Sequence, residues 1–192
     1  KTPLTNAKLT RMADVVIVSV PIDVTAKVIR EIVPHTRCEQ ILADVTSIKS
    51  ISVSEMLKGK AAVIGLHPMF RPGPSGLKGQ TIVMCPARCE TADKKWLAGI
   101  FKGRCATVPE MSAEKHDKLM AIVQVLIHFH SLVLGQTLFS LGVNLRDLMK
   151  IMSPVYRMQF DVVCRIFAQN PLLYASIGME NPETEKITRH FL

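Results

Sequence analysis

At 192 residues, with 48% apolar and 21% charged positions, the chain has a globular balance and enough length for one substantial domain or two small ones sharing a core. That excludes a disordered tail, a collagen-like fibre and a low-complexity linker. The net charge of +8 comes from scattered lysines and arginines with no run longer than Lys94-Lys95 and no interleaved aromatics. It suits small polyanionic substrates at least as well as nucleic acid, and no nucleic-acid partner is expected.

In chain order, Val15-Val16-Ile17-Val18-Ser19-Val20 is a short β-branched run between Asp14 and Pro21, as expected of a strand buried on both faces. Residues 22–33 show helical spacing (Val24, Val28, Ile29, Ile32) and stop at Pro34. Strands are predicted at 41–45 and 61–66, the latter ending at His67-Pro68, with a helix around 50–58 between them. A glycine- and proline-rich loop, Arg71 to Gly76, is followed by a strand at 81–85, a helix at 91–101 and a last short strand at 105–108. Strands separated by helices of this length imply βαβ crossovers and a parallel sheet with helices on its faces. From about Pro109 the pattern is helical only, over 112–140, 144–152 and 154–169, with a further helix beginning at Glu183.

The greasiest stretch, Met120 to Gly135, is interrupted by Gln124, His128 and His130, short of the ~20 unbroken apolar residues of a membrane span. The first apolar run starts only at Val15 and meets Pro21 and Asp23, unlike a signal peptide. Five cysteines, without a C-x-x-C pair, fit neither a disulfide framework nor a zinc knuckle. A cytoplasmic protein without a bound metal is expected.

Ligands of open parallel sheets bind outside the carboxyl ends of the strands. The first strand is followed by Ser19-Val20-Pro21, the second by Thr46-Ser47-Ile48-Lys49, and the third by His67-Pro68-Met69-Phe70. Three adjacent strand ends thus bring hydroxyls, an ammonium and an imidazole to one rim. His67 is the candidate general base, because an imidazole with a pKa of ~6.5 titrates near working pH. The competing reading is an inert, hydrogen-bonded histidine before a proline. In the helical half His116, Met120, Gln124 and His128 step at i+4, which keeps neighbours on one face. Histidines at the ends of an apolar helix are more often satisfied core residues than catalysts. Arg157, Asp161 and Arg165 also step at i+4, as an ion-pair ladder does. Alternatively Arg165, among Val162, Val163, Ile166 and Phe167, is enclosed and clamps a carboxylate bidentately. No G-x-G-x-x-G occurs, and the prolines around Gly73-Pro74-Ser75-Gly76 remove N–H donors that phosphate binding needs.

Five segments follow one another in an order with a precedent: Val16-Ile17-Val18-Ser19-Val20-Pro21-Ile22, Gly65-Leu66-His67-Pro68-Met69-Phe70, Glu114-Lys115-His116-Asp117, Ser153-Pro154-Val155-Tyr156-Arg157 and Arg165-Ile166-Phe167-Ala168-Gln169. From about Asp14 to Tyr174 the chain resembles prephenate dehydrogenases, above all the dehydrogenase part of the bifunctional chorismate mutase–prephenate dehydrogenases of tyrosine biosynthesis. The resemblance implies oxidative decarboxylation of prephenate to 4-hydroxyphenylpyruvate, with a hydride passing to NAD, or NADP in its place, in a homodimer. It implies that His67 takes the ring-hydroxyl proton, that Ser47 orients it and touches substrate and nicotinamide, and that Lys49 is a lysine of the same site. Arg165 then holds the ring carboxylate and His128 lies near the pyruvyl side chain. Tyr174 and Gln124 belong with His128, and Ser19, Val20 and Pro21 lie on the nicotinamide side.

The departures matter as well. The family's first strand, glycine-rich turn, first helix and second strand would precede Lys1. Its last helices would follow Leu192, and no chorismate mutase segment is present, so a piece of a longer protein is expected. Arg71 stands where the motif has glycine. Two alternatives use the same residues. One is a non-catalytic remnant binding tyrosine or 4-hydroxyphenylpyruvate through Arg165 and His128. The other is an arogenate dehydrogenase; His128 leans toward prephenate, because arogenate carries an ammonium where prephenate has a keto group. The expected fold is α/β: an incomplete Rossmann-type parallel-sheet domain over 1–108, followed by an all-helical domain over 109–192.

Overall fold

The first β-branched run forms β1 (Val15–Val18), which opens a four-stranded sheet ordered β1, β2 (Ile41–Asp44), β3 (Ala62–Pro68), β4 (Ile82–Arg88). The structure is a computed structural model that describes residues 4–71, 76–169 and 171–191. Contacts divide it into two units, one reaching to Asp117 and the other starting at Lys118.

In the first unit β1, β2 and β3 run parallel, joined by α2 (Ile22–Ile32) and α3 (Lys49–Met56). The pleat sends alternate residues to opposite faces. Val18, Leu42 and Val63 meet Ile29 and Ile32 of α2 and Val53 and Met56 of α3 on one face. Ile41, Ala43, Ile64, Leu66, Ile82 and Met84 meet Leu97 and Ala98 of α4 (Thr91–Lys102) on the other. Covering both faces explains why the strands read as unbroken apolar runs, each fully buried aliphatic side chain contributing about 1.5–3 kcal/mol.

The sheet departs from a wholly parallel one at β4, which runs antiparallel to β3. A parallel return needs a crossover, usually helical. The glycine- and proline-rich connection carries no helix in its described part, and residues 72–75 lie outside the described residues. The stretch at 105–108 forms no strand of its own. It makes an isolated parallel bridge, Thr81 with Thr107, and Met84 pairs likewise with Glu110. A helix not foreseen from the sequence, α1 (Asn6–Met12), precedes β1; Thr5 caps it by accepting from the Lys8 N–H. The buried Gln40 side-chain amide pins its end by donating to the carbonyls of Thr10 and Ala13.

A continuous helical run connects α5 (Ala113–Met120), π turns at 121–126 and α6 (Ile127–Ser140). By length and composition this run could cross a membrane. Its α5 end, however, buries His116 and Asp117 in a polar network of the first unit. In the second unit α6 packs on α8 (Pro154–Phe167), α7 (Leu145–Ile151) lies between them in the chain, and α9 (Pro171–Glu180) and α10 (Thr184–Phe191) pack on the π turns. The α6–α8 contact is close at Gly135, where an added Cβ would run into the Phe167 ring. Ser153 caps α8 by accepting from the Tyr156 N–H, with Pro154 in the first turn.

Candidate active site

The site is built where β2, β3, α3 and the start of α5 meet. His67 lies in the last two residues of β3, only 3% exposed. Its Nδ1 is 2.9 Å from Nε2 of His116, whose Nδ1 is 2.7 Å from Oδ1 of Asp117. Asp117 is itself held by α3. Its Oδ1 accepts from the Lys49 N–H and its Oδ2 from the Ser50 N–H, each at 2.8 Å, and from the Ser50 hydroxyl. Ile48 precedes α3 and has no polar side chain, so a carboxylate from α5 satisfies N–H groups that a helix start leaves open. Burial pushes the Asp117 carboxyl up, but those hydrogen bonds and the one to His116 outweigh it and hold it below the ordinary carboxylate range. Burial drives the His67 imidazole down to about 3, with His116 and Lys49 adding to the effect and Asp117 opposing it.

Beneath this chain lies a buried ion pair. The Lys49 ammonium is 0% exposed; it contacts Asp44 Oδ2 and donates to the Leu66 carbonyl at 2.7 Å. The Lys49 stem crosses β3 at Gly65, where an added Cβ would stand 3.0 Å from Lys49 Cδ and 2.9 Å from Val53 Cγ2. The glycine of the Gly65-Leu66-His67 motif is thus the space through which the lysine reaches Asp44. Burial pushes the Asp44 carboxyl up and the Lys49 ammonium down, and their mutual attraction opposes both shifts.

The predicted rim assembles in part. Ser47 is half-buried in the bend after β2, and Ser19, Val20 and Pro21 are exposed after β1. Ser19 and Val20 line a groove along β1 of about 360 Å³, with Val16, Val18 and Val28. The Lys49 ammonium does not reach the rim; it turns inward, because Asp44 on the adjoining strand end draws it under β3. Nor is Arg165 enclosed. The buried face of α8 is Phe160, Val163 and Ile166, and this spacing leaves Arg165 exposed, with Val162 and Phe167. Arg157 and Asp161 do form a loose exposed pair at 3.9 Å. The i+4 row from His116 to His128 is not one face either, because the π turns at 121–126 shift the helical register. His128 lies in the second unit with its ring edge-on to Tyr174, centroids 4.5 Å apart, and Gln124 one turn earlier. Burial lowers the His128 pKa, leaving a neutral imidazole.

Three residues of the site are not singled out from the sequence by their place after a strand: Asp44, His116 and Asp117. The signal for Asp117 is its adjacency to His116 at the polar start of an otherwise apolar helix; that for Asp44 is a carboxylate closing an apolar strand five residues before a lysine.

Comparisons with known proteins agree along the whole chain. Residues 3–103 match the family described as prephenate dehydrogenase, nucleotide-binding domain, and residues 112–192 that described as prephenate dehydrogenase, dimerization domain. A probable arogenate/prephenate dehydrogenase of Methanocaldococcus jannaschii is 38% identical over 97% of this chain and 43% of its own length. The T-protein of Haemophilus influenzae is 37% identical over 89% of this chain and 45% of its own. The chain therefore spans less than half the length of these curated relatives. Among solved structures, prephenate dehydrogenase from A. aeolicus in complex with hydroxyphenyl propionate and NAD+ superposes with a TM-score of 0.78 at 21% identity, covering 98% of this chain and 69% of the other. Synechocystis arogenate dehydrogenase gives 0.75 at 18% identity, covering 97% and 70%.

Proposed function

We propose that this chain, which belongs to the prephenate dehydrogenase family, carries the catalytic base of an oxidative decarboxylation that converts prephenate to 4-hydroxyphenylpyruvate. The observation that carries the reading is His67, a buried imidazole at the end of β3 backed by His116 and Asp117. A base supported in this way favours an enzyme over a binding remnant. Neutral at working pH, His67 is in the form that takes a proton from the ring hydroxyl.

NAD, when bound, supplies the acceptor for the hydride. The parallel ends of β1 and β2 suit it, since a dinucleotide lies across such strand ends in a Rossmann sheet. Ser19, Val20 and Pro21 after β1 and Ser47 after β2 are the residues assigned to the nicotinamide side. Lys49 is assigned a positioning role, because its ammonium holds the carbonyl of the residue before His67. Arg165 is assigned to the ring carboxylate, where its exposed guanidinium is available for a bidentate contact. His128, Tyr174 and Gln124 are assigned to the substrate's side chain. The match to a dimerization domain and the exposed Phe139, Leu141, Ile151 and Met158 of the helical unit support a homodimer, and a cytoplasmic location accords with the proposed biosynthetic role.

His128 is compatible with a second substrate. His128 is held neutral, and a neutral imidazole accepts a hydrogen bond from arogenate's ammonium as readily as it donates to prephenate's keto oxygen. NADH formation by the full-length protein with each substrate separates the two. With the preferred substrate, His67→Asn is expected to lower kcat about 10²–10⁴-fold with KM nearly unchanged. Equal rates for variant and wild type would remove His67 from the chemistry.

A further inference from the structure

We infer that the base is not His67 alone but a two-histidine relay, in which the proton taken at His67 Nε2 is matched by transfer of the Nδ1 proton to His116, beside Asp117. The inference rests on the activity proposed above and concerns where the charge goes. An ionised carboxylate only accepts, so Asp117 requires the hydrogen of His116 on Nδ1. His116 Nε2 is then a lone pair, and the 2.9 Å contact requires the hydrogen of His67 on Nδ1. That leaves His67 Nε2 as the basic nitrogen. Two links away, Asp117 thus selects the reactive tautomer of His67.

The same wiring answers a difficulty. A proton resting on His67 sits in a buried site beside Lys49, an environment that strongly disfavours the imidazolium. Passed along the relay, the charge comes to His116, with the Asp117 carboxylate 2.7 Å away and no intervening desolvated gap. The groups facing this chain are Lys49 from α3, Asp44 from β2 through Lys49, and Cys85 from β4, whose thiol burial pushes up to about 12, so it stays uncharged.

The step balances. A bound nicotinamide dinucleotide would accept the hydride, the electron pair of the breaking ring C–H bond, and be reduced by it. The O–H proton goes to His67 Nε2, and the His67 Nδ1 proton goes to His116 Nε2. A carbonyl forms on the ring, the ring carboxylate leaves as carbon dioxide, and its bonding electrons complete the aromatic ring. The oxygen, now phenolate, recovers the proton from His67 Nε2 while His116 returns its own to His67 Nδ1. No proton is lost, so the relay resets within each turnover.

The test uses full-length protein labelled with ¹⁵N-histidine, without substrate or cofactor, together with turnover. In wild type, ¹⁵N spectra should show His67 protonated on Nδ1 and bare on Nε2. Asp117→Asn removes the anion that holds the His116 hydrogen on Nδ1, so the share of His67 protonated on Nδ1 should fall and that protonated on Nε2 should rise. Its kcat should fall about 10²–10⁴-fold with little change in KM. His116→Gln keeps an acceptor for His67 and a donor for Asp117 but cannot take a proton. It should retain the wild-type His67 tautomer and still lose about 10²-fold or more in kcat. Because Asp117 also caps α3, circular dichroism checks the fold of Asp117→Asn, and His116→Gln decides the question alone if that variant unfolds. Wild-type kcat in His116→Gln, or His67 bare on Nδ1 in the wild type, overturns the relay. Absence of NADH from wild type with both substrates instead overturns the proposed activity and leaves the tautomer result standing.

Discussion

Lys49→Met keeps most of the buried stem and deletes only the ammonium. Asp44 Oδ2 would then retain the Thr46 N–H, at 3.1 Å, with the Ser52 hydroxyl near the carboxyl, while Oδ1 has no hydrogen-bond partner among the described residues even in the wild type. The Leu66 carbonyl would lose its donor as well. Removing one member of a buried ion pair costs about 3–5 kcal/mol. Asp44 can escape part of that by taking up a proton, the direction in which burial already pushes it, so about 3 kcal/mol is expected. Removing both charges in Asp44→Asn/Lys49→Met should cost less than Lys49→Met alone, with a coupling of about 2 kcal/mol across the double-mutant cycle. Urea unfolding of the full-length protein, followed by far-ultraviolet circular dichroism, measures all four corners. The pH dependence carries a sign. With the folded-state pKa of Asp44 raised above its unfolded value, the variant is relatively more stable at low pH and loses that contribution as pH rises through the folded value. The Lys49→Met deficit should therefore shrink as pH is lowered toward the ordinary carboxylate range. A single variant within 1 kcal/mol of wild type, or an additive cycle, would refute the view that this pair holds the end of β3.

Three further outcomes are expected. Gly135→Ala puts a methyl into the Phe167 ring, which must swing aside; a loss of about 1–2 kcal/mol is expected, and its persistence in a Phe167→Ala background would show that the ring is not the cause. Because the folded-state pKa of His67 is about 3 against an ordinary 6.5, the unfolded chain binds a proton that the native one does not between those values. Stability should fall as pH drops through that window, by up to about 1.4 kcal/mol per unit, and His67→Gln should flatten the slope; an unchanged slope counts against the buried neutral imidazole. Cys105 is a non-glycine residue at φ 60, so Cys105→Gly should relieve about 1–2 kcal/mol of backbone strain, less about 0.5–1 kcal/mol of chain entropy. Thermal melting should rise by a few degrees, and a lower midpoint would mean that the thiol contributes packing that outweighs the strain.

Much of the fold was determined locally. The unbroken apolar runs at β1 and β2 declare strands covered on both faces, the spacing of Ile29 and Ile32 declares the helix between them, and Pro154 after Ser153 marks the start of α8. His67 is legible because a strand end is a place in the sequence as well as in space. The direction of β4 was not legible, since it depends on whether the chain returns with or without a crossover. The faces of the long helix were not legible either, because the π turns break the period on which the i+4 reading relied. Arg165 looked enclosed among apolar neighbours in sequence, yet a helix buries only one side, and the packing on α6 chose the side with Val163 and Ile166. Above all, the partners of the catalytic candidate come from afar. His116 lies 49 residues from His67, and Asp117 lies 68 residues from the Lys49 N–H it caps. Local sequence sets which groups can donate, accept or ionise. Only tertiary packing decided that Lys49 turns inward to Asp44 and that His67 stands in line with His116 and Asp117, because hydrogen bonds at 2.7–2.9 Å require the folded chain to bring distant elements together.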